Sequence, residues 1–155
     1  MENRYELISA SVSSMYHDIQ KIERTEMAQY GLKGPHAQCL LAMKKHPDGI
    51  TAARLCEICE KDKAAVSRIL AELEEAGMVL RTNRNGTRYR SCLTLTEQGM
   101  TAAEAVVEKA HLAVELAGTG FGEAEREVFY RVLSIISDNL HKLCREGLSQ
   151  NKNKE

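Results

Sequence analysis

The chain has 155 residues, enough for one domain, or for one small domain with extra helices that build an oligomer interface, and too few for a two-domain enzyme. With 43% hydrophobic and 28% charged residues and a formal net charge of −1, its totals are those of an ordinary soluble globular chain and by themselves announce no nucleic-acid partner. The charge is unevenly placed, however: residues 61–90 carry seven Lys/Arg against four Asp/Glu, whereas residues 97–131 carry three against seven. No apolar run approaches the roughly 18 residues of a membrane span, and Met1-Glu2-Asn3-Arg4-Tyr5-Glu6 lacks the layout of a signal peptide, so a cytoplasmic protein with no membrane partner is expected. Five cysteines at 39, 56, 59, 92 and 144, an odd number without framework spacing, are expected as thiols.

Apolar side chains at Tyr5, Ile8, Val12, Met15, Ile19 and Ile22 recur at alternating spacings of 3 and 4, which draws one narrow stripe along a first helix. A lone helix cannot satisfy such a seam. Gly31 and Gly34-Pro35 end it, and a second helix runs through Ala37, Leu40, Leu41 and Met43 until His46-Pro47-Asp48-Gly49. Thr51 is the expected N-cap of a short third helix bearing Leu55, Cys56, Ile58 and Cys59. Asp62 caps a fourth, with Val66, Ile69, Leu70 and Leu73 at helical spacing and Gly77 where a left-handed residue is wanted. Helix, tight turn and capped helix in succession predict a helix-turn-helix.

After Gly77 the period changes towards 2. Residues 79–82 and 89–95 flank Asn85-Gly86, a type I′ turn signal, and predict a hairpin that would serve as a wing. Thr96-Glu97-Gln98-Gly99 opens a fifth helix of about twenty residues, ending near Gly118-Thr119-Gly120. A sixth, from about Glu123 to Cys144, carries Val128, Val132, Leu133, Ile136, Leu140 and Leu143 on one side. Ser149 to Glu155 form a polar tail whose composition predicts disorder.

The block from Leu55 to Arg68, with Asp62-Lys63-Ala64-Ala65-Val66-Ser67-Arg68 at its end, then Leu73-Glu74 and Gly77-Met78-Val79, and finally Leu95-Thr96-Glu97-Gln98-Gly99, resembles the MarR family of bacterial transcription regulators in residues, order and spacing. The resemblance covers nearly the whole chain. It implies a mainly α fold with a small β-hairpin wing: a winged helix-turn-helix domain at 36–98 between dimerisation helices at 1–30 and 100–147, in a single domain followed by a tail at 148–155. It further implies a homodimer that binds an inverted-repeat operator in double-stranded DNA and responds to an unidentified small-molecule effector or an oxidant. Two departures stand out: Glu60 occupies a turn position where the family often has Gly, and the family's acidic wing tip is replaced by residues 83–90 of this chain. Counted back from Leu95-Thr96, Arg88 falls on the wing arginine that the family places in the minor groove.

The residues make a physical case beside the resemblance. Lys61, Lys63 and Arg68 frame a helix N-terminus, whose partial positive charge suits phosphate. Ala64 and Ala65 allow close backbone approach, and Ser67 and Arg68 can reach bases or phosphate. Residues 81–90 hold four arginines and no acid; Arg88, with Arg84 and Arg90, is expected to serve a minor groove, and Thr51 to donate to phosphate. One winged helix seldom supplies enough phosphate contacts for tight binding, so a dimer is expected, paired through Tyr5, Ile8, Val12, Met15, Ile19, Val132, Ile136, Leu140 and Leu143. An intramolecular bundle is the alternative use of those faces.

Cys56-x-x-Cys59 lacks the second pair of a zinc site and is read as buried packing, with Cys39, Cys56 and Cys59 as candidate redox thiols and no metal or cofactor expected. Glu104, Glu108 and His111 share a helix face that either holds a divalent cation or is simply solvated. Tyr16, Tyr30 and His36 either line an effector crevice or belong to the core. The absence of a nucleotide-binding Gly motif, a nucleophile elbow and a clustered His/Asp/Glu set speaks against an enzyme. The alternative to a DNA-binding regulator is a winged-helix protein-interaction module that has lost DNA binding.

Overall fold

The structure is a computed structural model that describes residues 3–83 and 91–148. Its elements run α1 (Arg4–Ala28), α2 (Gly34–Lys44), α3 (Ala52–Cys59), α4 (Lys63–Glu75), β1 (Val79–Asn83), β2 (Ser91–Leu95), α5 (Glu97–Ala117) and α6 (Glu123–Glu146). The mainly α architecture with one hairpin is therefore the expected one. No helix among the described residues is long and apolar enough to cross a membrane.

The caps that the sequence advertises set the helix starts. Thr51 Oγ1 accepts from the Arg54 N–H at 3.2 Å to open α3, and Asp62 Oδ1 accepts from the Ala65 N–H at 2.8 Å to open α4. Gly77, at φ 70°, follows α4 and turns the chain into β1. Glu60 closes α3 in the left-handed region at φ 51°, the one described non-glycine residue with positive φ. That explains the sequence departure there: the turn needs the conformation glycine adopts freely, and Glu60 adopts it at a cost.

One compact unit spans Met1–Ala113. Its core is built from Met27 of α1, Ala37, Cys39, Leu40 and Met43 of α2, Leu55 of α3, Val66, Ile69, Leu70 and Leu73 of α4, Met78, Val79 and Leu93 at the hairpin, and Ala102, Ala103 and Val106 of α5. His36 belongs to this core and not to an open crevice. The Lys33 N–H donates to His36 Nδ1 at 3.0 Å, which leaves the proton on Nε2 to donate to Glu72 Oε2 at 2.5 Å, tying α2 to α4. Glu23 is also buried, with Oε2 unpartnered; burial raises its pKa, while a Gln38 hydrogen bond and the Lys61 charge act in the opposite direction.

β1 and β2 pair antiparallel, from Val79 opposite Leu95 to Asn83 opposite Ser91. The expected Asn85-Gly86 turn lies outside the described residues. The sheet also gains a rung that the sequence analysis missed: Ile50 exchanges both backbone hydrogen bonds with Leu93, at 3.0 and 2.8 Å. Gly49, at φ 101°, makes this possible, because a Cβ there would collide with Cys92 Sγ.

The segment Leu95 to Gly99 locks the hairpin to the helices on either side. The Thr96 N–H donates to the Met78 carbonyl at 3.0 Å, its hydroxyl donates to the Gly77 carbonyl at 2.7 Å, and the same hydroxyl oxygen accepts from the Gly99 N–H at 3.0 Å. Gly99 is required by close approach: a Cβ would run into the Met78 carbonyl.

The second unit, Val114–Glu155, contains the end of α5 and all of α6. Arg126 holds its turn, donating to Glu115 Oε2 at 2.7 Å and to the Gly118 carbonyl at 3.3 Å. No residue of the 24-residue helix α6 is buried.

Candidate nucleic-acid interface

In α4 the apolar stripe and the polar stripe separate cleanly. Val66, Ile69, Leu70 and Leu73 are buried, while Lys63, Ala64, Ser67 and Arg68 are exposed on the opposite side. Ala65 is half-buried between them. The first two turns of the exposed face thus carry two cations, one hydroxyl and one small side chain, and the acids Glu72 and Glu75 are exposed further along the helix. Asp62 modifies the expected phosphate seat, since its carboxylate already occupies the Ala65 N–H. The N–H groups of Lys63 and Ala64, which precede the first helical hydrogen bonds, are those left to meet an anion.

Thr51 is exposed; its oxygen is the α3 cap, and its hydroxyl proton remains available for a phosphate. Lys61 is half-buried in the α3–α4 turn, where its charge acts on Glu23, Cys39 and Cys59. Arg84, Arg88 and Arg90 lie outside the described residues. Arg81, counted with them in the basic wing, has a structural role instead. Its Nε donates to Glu74 Oε1 at 2.7 Å and its guanidinium to Ser91 Oγ at 3.1 Å, so it pins both strands to the end of α4. No periodicity marks this pairing, and only the opposite charges seven residues apart hint at it.

Elsewhere, Glu104 faces Lys44 at 3.8 Å, and among the described residues no three His, Cys, Asp or Glu side chains converge to hold a metal. Cys39 is buried, Cys56 and Cys59 are half-buried against the core, and Cys39 Sγ stands 3.9 Å from Cys59 Sγ. Cys92 reaches the Asp48 carbonyl at 3.6 Å, and Cys144 is exposed. Tyr5, Ile8, Val12, Met15 and Ile19 along α1 and Val132, Ile136 and Leu140 along α6 are exposed, with Leu143 half-buried.

Residues 30–88, which include the α3–α4 unit and β1, match the family model described as MarR family. That segment is similar to the MarR family. The MarR fold extends over most of the chain. A MarR protein from Peptoclostridium difficile is 20% identical and superposes with a TM-score of 0.77 over 92% of each chain. A MarR transcriptional regulator from Methanosarcina mazei Go1 is 22% identical, with a TM-score of 0.78 over 89% of this chain and 92% of its own. A MarR-family transcriptional regulator from Listeria monocytogenes complexed with a 26mer DNA is 19% identical, with a TM-score of 0.74 over 89% of this chain and 93% of its own. No functionally curated protein matches the sequence significantly. In this fold α4 occupies the place of the second helix of the helix-turn-helix, and β1–β2 is the wing.

Proposed function

We propose that this MarR-type chain is a cytoplasmic, homodimeric transcription regulator that binds an inverted-repeat operator in double-stranded DNA, acts as a repressor, and is released by a small-molecule effector or by thiol oxidation. The observation that carries the reading is the division of α4 into a buried Val66/Ile69/Leu70/Leu73 face and an exposed Lys63/Ala64/Ser67/Arg68 face. A helix anchored on one side, with cations and small polar groups on the other, is suited to a major groove. Arg68 and Ser67 take base edges or phosphate, Lys63 and the α4 N-terminus take phosphate, Lys61 adds positive charge at the turn, and Thr51 donates to phosphate from α3. Arg88, with Arg84 and Arg90, serves the minor groove from the wing. The DNA complex of the Listeria relative supports this use of the fold.

Pairing through the exposed faces of α1 and α6 supplies the second reading head, and two heads one helical turn apart match an inverted repeat. An effector acts by favouring a dimer whose α4 helices no longer match successive major grooves. Neither a cofactor nor catalysis enters this reading.

Fluorescence anisotropy against fragments of the neighbouring promoters, titrated in salt, tests it. Arg68→Ala is expected to weaken specific binding by about tenfold or more, roughly 1–3 kcal/mol. Arg88→Ala is expected to weaken binding to all duplexes and to flatten the salt dependence by about one unit of slope. A wild-type dimer without salt-dependent affinity for any fragment would overturn the proposal in favour of a protein-interaction module.

A further inference from the structure

Cys39, in the middle of α2, and Cys59, the last residue of α3, are twenty positions apart in sequence and 3.9 Å apart sulfur to sulfur. Their surroundings are unequal. Cys39 is fully buried, whereas Cys59 is half-buried and forms part of a concave surface of about 310 Å³ with Tyr16, Gln38, Lys45, His46 and Glu60. The hydrogen bond from Cys39 and the Lys61 charge draw the Cys59 thiol down to about 7, although burial opposes them. The same hydrogen bond, with burial, pushes Cys39 up. Cys59, the less buried of the two and the one on the concave surface, is the sulfur better placed to ionise. The other ionisable groups acting on the pair are Lys61, which favours thiolate, and Cys56, which opposes a second one on Cys39.

We propose that Cys39 and Cys59 form a thiol-oxidation site, in which a hydroperoxide entering from the concave surface converts the pair into an intrachain disulfide between α2 and α3. The Cys59 thiolate attacks the distal oxygen of the hydroperoxide; the O–O bond breaks, and the alkoxide leaves and is protonated to the alcohol. Cys39 then attacks the sulfur of the resulting sulfenic acid. The S–O bond breaks and the departing hydroxide takes the Cys39 proton as water. Two thiols lose two electrons and two protons, and the hydroperoxide is reduced to alcohol and water.

The bond requires the sulfurs to close from 3.9 Å to about 2 Å. Only Glu60, in its left-handed conformation, and Lys61 separate Cys59 from Asp62, the cap of α4. Closure therefore acts on the turn that sets where α4 begins. Its effect on DNA rests on the function proposed above, whereas the disulfide itself does not.

The full-length reduced protein is treated with one to two equivalents of hydrogen peroxide or cumene hydroperoxide, its remaining thiols are alkylated, and the linkages are mapped by mass spectrometry without reduction. The expected result is a Cys39–Cys59 linked peptide, loss of two thiols per chain, and full reversal by dithiothreitol. The linkage is expected to persist in Cys56→Ser and to vanish in Cys59→Ser; the wild-type map stands without a variant at the buried Cys39. A linkage through Cys56 or Cys144, or conversion of Cys59 to sulfinic acid without linkage, would overturn the site. In anisotropy the oxidised protein is expected to bind operator DNA at least tenfold more weakly than the reduced protein, and equal affinity overturns the action on α4. If the reduced protein binds no promoter fragment while the linked peptide forms, the DNA-binding reading falls and the thiol site is supported.

Discussion

The winged helix and the terminal helices of this chain solve the burial problem in opposite ways. From α2 to the first half of α5 the apolar residues close on one another: Leu40, Leu55, Val66, Leu73 and Leu93 are all completely buried. In α6 nothing is buried, and Ile136 and Leu140 remain 39% and 53% exposed; along α1 only Glu23 and Met27 are buried, while Tyr5 stands 75% exposed. Both regions have a regular helical apolar pattern. The pattern identifies a face that needs covering and does not name what covers it.

Two variants, one double and one single, separate the regions most sharply. Replacing both Ile136 and Leu140 by Glu would place four charges in the proposed twofold interface; it should turn the proposed dimer into a monomer, with a loss on the order of 5 kcal/mol per dimer, visible by sedimentation as a halved mass. A mass already that of a monomer in the wild type would remove the distinction. Leu70→Ala, on the self-covered side, should cost about 3 kcal/mol in urea unfolding, with the mass unchanged, because it leaves a cavity in a closed core.

Glu23 gives a finer contrast, being the one acid that α1 buries. Its pKa is raised in the folded chain by burial, so its ionisation opposes folding as pH rises from the unfolded value of about 4.3 through the raised one. Glu23→Gln should therefore unfold at higher urea than wild type at pH 8, and the gain should disappear at pH 4. An equal gain at both values would mean that the charge is not what matters. The smallest effect belongs to the α3–α4 turn: Glu60→Gly removes the left-handed penalty of about 1–2 kcal/mol but adds backbone entropy to the unfolded chain, for a net gain of about 0.5 kcal/mol in thermal unfolding.

Local chemistry was readable from the sequence, and pairing across the chain was not. Thr51, Asp62 and Gly77 announced the ends of helices because a cap acts within three residues of itself. The exposed Lys63/Ser67/Arg68 face follows from the same 3.6-residue period that buries Val66 and Leu70. By contrast, His36 meets Glu72 across 36 positions, and no periodicity marks that contact. Ile50 joins the sheet as a single residue, too short to show alternation. Arg81 read as one more wing cation until its distance to Glu74 was known.

The hydrogen bonds of Thr96 to Gly77 and Met78, and the Gly99 backbone resting on the Met78 carbonyl, have a mechanical meaning. They make the base of the wing, the end of α4 and the start of α5 into a single hub without slack. A displacement of any one of the three is therefore passed to the other two through these contacts.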